Sequence, residues 1–152
     1  MSEKKEVGIL LVEDDDGQAT LVERNLLRAG LSNNFRRLKD GQEALDYFFD
    51  AEGAVKPLIK DPMVILLDVN MPRVGGVDVL KRLKENKATA SIPIVMLTTT
   101  DDPREIERCY EYGCNLYITK PVEYEAFIEA VRRLGFFLQI IKVPNATRLV
   151  AQ

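Results

Sequence analysis

Residues 9–14 read ILLVED, four apolar residues followed by two acids, and this pattern recurs along the chain. Residues 64–68 read VILLD and residues 116–120 read LYITK, so a further acid and a lysine also follow short, mainly apolar runs. Such runs are typical of buried parallel strands, and open α/β sheets bind ligands at the carboxyl ends of their strands. We therefore expect the acids and the lysine to meet in one pocket.

The remainder of the chain continues the alternation of strand-like and helix-like segments. Between the apolar runs, apolar residues recur at helical spacing. Strands are predicted near Val7–Val12, Asn34–Leu38, Met63–Asp68, Ile94–Thr98 and Asn115–Thr119. This βα repeat predicts an α/β fold in which helices cover both faces of a parallel sheet.

Acidic residues indicate where two of the helices begin. Asp40 is followed three residues later by Glu43, and Asp102 immediately precedes Pro103. An acid at the N-cap and a proline in the first turn both favour a helix start, so helices should begin near residues 41 and 103. Residues 51–62 contain a glycine and two prolines without clear periodicity, which predicts a surface loop with no catalytic role.

The sequence is compatible with two structures for the last part of the chain. A fifth helix is expected over Tyr124–Leu134, and Gly135 then precedes the apolar residues Phe136, Phe137, Leu138, Ile140, Ile141 and Val143. This segment either extends the helix or forms a strand-like arm, and periodicity does not decide between them. Exposed apolar patches usually mark interaction sites, so we expect a homodimer; the alternative is a cap on the protein's own core.

Length and charge limit the possible functions. A chain of 152 residues fits one domain, and its net charge of −3 gives no general attraction to nucleic acid or to an anionic membrane. The charged start of the sequence is unlike a signal peptide, so a cytoplasmic protein without a membrane segment is expected. Cys109 and Cys114 are too few for a disulfide framework and are interpreted as packing residues.

The absence of histidine excludes several kinds of chemistry. With no histidine in the sequence, serine–histidine hydrolysis, histidine acid–base catalysis and the usual zinc sites are not available to this chain. A phosphohistidine that takes part in the function must therefore come from another protein.

The acidic residues predict a divalent metal site. Glu13, Asp14 and Asp68 at adjacent strand ends would repel one another unless a cation lies between them. Mg²⁺ accepts oxygen ligands and commonly binds one or two carboxylates together with a phosphate group. The alternative is that the acids are solvated caps of the following helices. Lys120 beside these acids would neutralise a bound phosphoryl group, and Thr98 at the end of the fourth strand should place its hydroxyl in the same pocket.

Taken together, these residues resemble the pattern of response-regulator receiver domains of two-component signalling. The residues that carry the resemblance are Glu13-Asp14, Asp68, Met71-Pro72, Gly76, Thr98 and Lys120-Pro121. The resemblance covers residues 6–134 and leaves residues 135–152 as a C-terminal extension that dimerises or caps the domain. It implies a flavodoxin-like, five-stranded parallel sheet of order 2-1-3-4-5 with five helices.

The resemblance also implies roles for the acidic residues. Asp68 would be the phosphoacceptor, a carboxylate nucleophile that attacks a phosphohistidine. Asp14 and Asp68 would bind Mg²⁺ directly. Glu13 would bind it through water and Asn70 through its backbone carbonyl group.

Further implied roles fall on the fourth and fifth strands. Thr98 and Lys120 would contact the phosphoryl oxygens, and the Lys120–Pro121 bond would be cis. Tyr117 stands at the family's aromatic switch position, where the ring moves inward when the threonine turns toward the phosphate. Thr98 and Tyr117 would then form the two-state element that an allosteric response requires.

The implied partner is a sensor histidine kinase or a phosphotransfer protein. The C-terminal extension is similar to that of stand-alone receivers that serve phytochrome-type kinases in cyanobacteria and other bacteria. A Mg²⁺-dependent phosphatase is a rival, but that chemistry usually needs a second acid near the nucleophile, commonly two residues on, where Asn70 stands. A flavodoxin-like cofactor carrier is another, but no glycine-rich loop follows the first strand. The leading prediction is therefore a signalling protein and not an enzyme.

Overall fold

The computed structural model describes residues 8–29, 35–56 and 63–140, in which five strands alternate with five helices. The strands are β1 Gly8–Val12, β2 Phe35–Leu38, β3 Met63–Leu67, β4 Ile94–Thr98 and β5 Leu116–Thr119. The helices are α1 Asp16–Arg28, α2 Gly41–Phe48, α3 Gly76–Glu85, α4 Pro103–Glu111 and α5 Tyr124–Ile140. Within the described residues, the predicted strand positions are confirmed to about one residue at each end.

All five strands pair in parallel in one sheet of order β2-β1-β3-β4-β5. The predicted flavodoxin-like α/β fold is therefore confirmed. Val12, the last residue of β1, lies between Leu38 of β2 and Leu67 of β3. From β1 the chain adds β2 on one side of the sheet and then β3 on the other side. Ligands are therefore expected at the carboxyl ends of β1 and β3, where the direction of winding changes.

Alternate side chains of the central strands enter two separate cores. In β1, Leu10 and Val12 pack toward helices α2 and α3, while Ile9 and Leu11 pack toward α1 and α5. Successive side chains of a strand point to opposite faces, so a strand that is covered on both faces must be apolar at every position. This explains why the sequence shows continuous apolar runs rather than alternation.

Two helix starts agree with the capping residues in the sequence. Asp40 accepts a hydrogen bond from the Glu43 backbone N–H at 2.9 Å, and α2 begins at the next residue. Asp102 accepts from the Arg104 backbone N–H at 3.0 Å, and α4 begins at Pro103. These contacts satisfy N–H groups that have no partner within the helix. The predicted helix starts are therefore confirmed.

Helix α5 continues to Ile140, so the first part of the extension is helical and not a strand-like arm. Leu134 and Leu138 lie one turn apart and are 4% and 1% exposed in the core between α1 and α5. A glycine within a helix costs about 0.5–1 kcal/mol, whereas burying a leucine contributes about 1.5–3 kcal/mol. The free energy gained by burying Leu138 therefore exceeds the cost of placing Gly135 within the helix.

The apolar extension divides into a buried part and an exposed part. The expectation that Leu138 belongs to an exposed patch is wrong, because this side chain caps the protein's own core. Phe136 and Phe137 are 55% and 43% exposed, as expected. The positions expected at 141 and 143 lie outside the described residues, as does the 57–62 part of the predicted loop. No helix in the described part of the chain has the length and hydropathy that crossing a bilayer requires.

Candidate functional site

Three acids meet at the carboxyl ends of β1 and β3. Carboxylate oxygens of Glu13, Asp14 and Asp68 lie within 4.8 Å of one another. Glu13 and Asp68 are buried, whereas Asp14 is exposed. The Glu13 backbone N–H donates to Leu38 O at 3.1 Å and the Asp68 backbone N–H to Val12 O at 3.2 Å. The sheet ladder thus continues past the strand ends and fixes the backbone of both buried acids.

The Lys120 ammonium group lies among the buried acids. Its Nζ donates to Glu13 Oε1, to Gln18 Oε1 at 2.6 Å and to Asp68 Oδ2 at 3.4 Å. Lys120 is 5% exposed, and its backbone N–H donates to Thr98 O at 2.6 Å. The predicted convergence of Lys120 with the acids is present in the structure. Gln18 was not predicted; the signal available in the sequence was its position four residues after Asp14, in the first turn of the following helix.

The charge balance of this cluster fits an oxygen-binding cation. Burial raises the pKa of Glu13 to about 7, and the hydrogen bond and charge of Lys120 oppose this rise. Three carboxyl groups lie together and only two of them contact the one buried ammonium group, so the cluster retains acceptor oxygens and negative charge for a further cation. Oxygen ligands alone suit a hard ion such as Mg²⁺. The residues present therefore fit the predicted metal site.

A second cation holds the loop that carries the first two acids. The Arg37 Nε donates to Glu13 O and its Nη1 donates to Asp16 Oδ1, each at 2.8 Å. The guanidinium group of β2 thus joins the end of β1 to the start of α1. Arg37 was not predicted, because its two partners lie far from it in sequence. It positions the backbone on which Glu13 and Asp14 lie.

The loop after Asp68 folds back on the acid. The Asn70 backbone N–H donates to Asp68 Oδ1 at 3.2 Å, and Asn70 Nδ2 donates to Thr100 Oγ1 at 2.9 Å. Helix α3 begins at Gly76, where an added Cβ would lie 1.9 Å from Asp68 O. The start of α3 can approach the Asp68 backbone this closely only because residue 76 is glycine.

The side-chain hydroxyl groups of Thr98 and Tyr117 both bond to the backbone of Thr100. Thr98 is fully buried at the end of β4, and its Oγ1 accepts from the Thr100 backbone N–H at 3.4 Å. Tyr117 is half-buried, and its hydroxyl donates to Thr100 O at 2.6 Å. Burial raises the pKa of Tyr117 to about 12. The Thr98 hydroxyl therefore bonds to its own loop, and its expected contact with phosphoryl oxygens stays a prediction.

The predicted cis bond between Lys120 and Pro121 is wrong. The described residues contain no cis peptide bond, so this bond is trans. The trans form of an X–Pro bond is lower in energy by about 0.5–1 kcal/mol. Lys120 reaches both Glu13 and Asp68 with the trans bond, so the contacts of the site do not require the cis form.

Comparison with known proteins identifies relatives that share most of this chain. The sequence model of the family described as "Response regulator receiver domain" matches residues 9–132. A probable methanogenesis regulatory protein, FilR2 of Methanothrix harundinacea, is 36% identical over 126 residues, which cover 83% of this chain and 79% of that protein. The response regulator Rcp1 of Synechocystis is 32% identical over 139 residues, which cover 91% of this chain and 93% of Rcp1.

Solved structures of similar proteins share the fold. A response regulator receiver domain from Rhodospirillum rubrum has a TM-score of 0.87 at 47% identity and covers 91% of this chain and 98% of its own. The Mn²⁺-bound form of Rcp1 has a TM-score of 0.78 at 30% identity, and the match covers 93% of this chain and 99% of that chain. The phosphorylated cyanobacterial phytochrome response regulator RcpA has a TM-score of 0.81 at 28% identity, and the match covers 91% of this chain and 99% of that chain.

Proposed function

This chain belongs to the response regulator receiver domain family, and on that premise we propose that it accepts a phosphoryl group from a histidine kinase or phosphotransfer protein on Asp68. We assign the receiver function to residues 6–134 and interaction or capping to residues 135–152. The observation that carries the proposal is the position of Asp68, a buried carboxylate at the switch point of the sheet, with Lys120 at 3.4 Å.

The contacts of Asp68 suit a nucleophile. Its Oδ1 accepts from the Asn70 backbone N–H and its Oδ2 from Lys120, so the carboxylate is oriented by donors on both sides. In the reaction an Asp68 oxygen forms a bond to phosphorus, the P–N bond of the phosphohistidine breaks, and the imidazole leaves. The phosphohistidine must lie outside these 152 residues, which contain no histidine.

Mg²⁺ is the proposed cofactor of this transfer. Asp14 and Asp68 would hold it directly, Glu13 through water and Asn70 through its backbone carbonyl group. When bound, the ion would neutralise charge on the phosphoryl oxygens. The closeness of the three carboxylates supports the assignment, as does the Mn²⁺-bound form of Rcp1.

The chain's own residues supply the remaining stabilisation. Lys120 provides a positive charge that is buried beside Asp68 and can pair with the transferred phosphoryl group. Thr98 would turn its hydroxyl from Thr100 toward that group. Because Tyr117 bonds to the same Thr100, rotation of Thr98 would alter the environment of the Tyr117 ring.

Signalling would proceed through protein contacts. We propose that a bacteriophytochrome-type kinase is the phosphodonor, a proposal that the similarity to RcpA supports. The exposed Phe136 and Phe137 support a homodimer that uses α5 and the adjacent face of α4 and β5. The proposal places the protein in the cytoplasm, without direct contact to nucleic acid or membrane and without enzymatic turnover of a free substrate.

Phosphorylation of the Asp68→Asn variant tests the function. The wild-type protein, incubated with Mg²⁺ and either acetyl phosphate or an autophosphorylated histidine kinase, should gain the mass of one phosphoryl group. Asp68→Asn should remain unmodified and keep its circular dichroism spectrum, because the amide preserves the size of the side chain but cannot act as the nucleophile. Wild-type levels of incorporation in Asp68→Asn would falsify the assignment.

A further inference from the structure

We propose that Gln18 is a positioning residue for Lys120: its side-chain oxygen holds the ammonium group partly away from Asp68, which leaves that carboxylate free to bind a cation and to react. The inference rests on the proposed function, because it assumes that Asp68 is the nucleophile. It assigns a role to a residue of α1 for which the sequence carries no catalytic motif.

Of the three side-chain partners of Lys120, Glu13 bonds most closely, as charge predicts, but the order of the other two is the reverse of what charge alone predicts. Hydrogen bonds between an ammonium group and a carboxylate usually measure about 2.7–2.9 Å and are stronger than bonds to a neutral amide. Here the neutral Gln18 oxygen lies 2.6 Å from Nζ, whereas the charged Asp68 Oδ2 lies 3.4 Å away. The amide therefore occupies the closer position and the nucleophile the looser one.

The orientation of the Gln18 side chain follows from its partner. An ammonium group only donates hydrogen bonds, so the Gln18 atom facing it must be the oxygen and not the amide nitrogen. The backbone of Gln18 is also fixed, because its N–H donates to the N-cap residue Asp15 at 2.8 Å. The side chain thus extends from a constrained first turn of α1 toward Lys120.

Loss of the Gln18 oxygen would leave one ammonium N–H without its partner. Glu13 already bonds the ammonium group closely, so the remaining acceptor with a long bond is Asp68 Oδ2, and the ammonium group would move toward it. A tighter pair between Lys120 and Asp68 would cover a carboxylate oxygen, compete with a cation for that oxygen, and lower its reactivity. Gln18 is expected to prevent this pairing.

The test compares Gln18→Met, which keeps length and helix propensity without the oxygen, with Gln18→Glu, which restores an oxygen at the same position. In metal-free protein, the NMR signal of the buried Lys120 ammonium group should shift in Gln18→Met and return toward wild type in Gln18→Glu. Calorimetric titration should show a Mg²⁺ dissociation constant about threefold to tenfold higher for Gln18→Met, the effect of about one hydrogen bond. Phosphorylation by acetyl phosphate should slow in the same variant.

The outcomes separate this inference from the proposed function. An unchanged Lys120 signal together with wild-type Mg²⁺ affinity in Gln18→Met overturns the positioning role. An equal loss of affinity in Gln18→Met and Gln18→Glu also overturns it, because a defect of the helix would then explain both. Failure of wild-type protein to become phosphorylated would contradict the proposed function alone, since the NMR and calorimetric measurements do not depend on phosphorylation.

Discussion

The Arg73 guanidinium group binds Asp40 through two hydrogen bonds, from Nε to Oδ2 at 3.0 Å and from Nη2 to Oδ1 at 2.9 Å. Arg73 has a φ of 66°, in the left-handed region that favours glycine, and it directly follows Pro72. Its hydrogen bond to Asp40 holds the pKa of that carboxyl group below its usual value. The ion pair thus ties the loop after Asp68 to the start of α2.

Two substitutions of Arg73 separate the ion pair from the backbone strain. Arg73→Gly and Arg73→Ala both remove the contact with Asp40, but only glycine adopts a positive φ freely. A left-handed backbone costs a residue with a Cβ about 1–2 kcal/mol. Arg73→Ala should therefore unfold at a lower urea concentration than Arg73→Gly, and equal midpoints would contradict the strain at this position.

Gly76 and Gly75 form a matched pair for the close approach of α3 to Asp68. A Cβ at Gly76 would lie 1.9 Å from Asp68 O, whereas one at Gly75 would lie 3.6 Å from Val69 O. Gly76→Ala should lower the free energy of unfolding by about 2–4 kcal/mol, because the backbone must shift. Gly75→Ala should cost no more than about 1 kcal/mol, because Gly75 is the N-cap of α3 and alanine is a weaker cap. Similar urea midpoints for the two variants would contradict the tight contact.

Mg²⁺ should stabilise the folded protein through the acid cluster. At a concentration one hundred times its dissociation constant, a ligand that binds only the folded state adds about 2.7 kcal/mol, which corresponds to a rise in melting temperature of about 5–10 °C. Asp14→Ala should lose most of this rise, because Asp14 belongs to the acid cluster and is one of the two proposed direct ligands of the ion. Glu52→Ala, a control in the exposed turn after α2, should keep it. An equal Mg²⁺ response of Asp14→Ala and wild type would place the metal elsewhere.

The phenol group of Tyr117 should ionise near pH 12. Burial favours its neutral form and raises its pKa from 10.0 to about 12. The folded state therefore gains stability from this group below pH 10.0 and loses it as the pH rises toward 12. The phenolate absorbance of wild type minus that of Tyr117→Phe isolates this titration, with circular dichroism as the check on folding. Ionisation near pH 10.0 in folded protein would show that the ring is not held as described.

The two sides of helix α5 should respond differently to truncation. Leu138→Ala removes a side chain that is 1% exposed and should cost about 2–5 kcal/mol of unfolding free energy. Phe137→Ala, at 43% exposed, should change stability by no more than about 0.5 kcal/mol but weaken the proposed homodimer, as measured by light scattering. A wild-type protein that stays monomeric at high concentration would exclude the dimer and leave capping as the role of this helix.

The fold could be predicted from the sequence because its signals are local. The runs at 9–12 and 64–67 are apolar at every position, as a strand covered on both faces requires. The convergence of the acids with Lys120 then follows from parallel pairing, since successive strand ends meet at one edge of the sheet. The end of α5 could not be predicted, because Gly135 is a stop signal locally and tertiary burial of Leu138 overrides it.

The contacts that refine the site could not be predicted, because they join residues that are far apart in sequence. Gln18 with Lys120, and Arg37 with the Glu13 backbone, depend on side-chain directions that follow only from the assembled sheet. The direction of the Thr98 hydroxyl also follows only from the assembled sheet. Its strand position was predicted, but its hydrogen bond to the Thr100 backbone N–H was not.

The central place of β1 in the sheet has a consequence for how the chain folds. Ile9 has Phe35 and Val64 as its neighbours, so neither edge of β1 is satisfied by residues close to it in sequence. Contacts between residues that are far apart in sequence slow folding, and an apolar strand favours aggregation until its neighbouring strands have paired with it. The strand that carries the acidic site is thus also the segment most in need of protection during synthesis, until β3 closes the centre of the sheet.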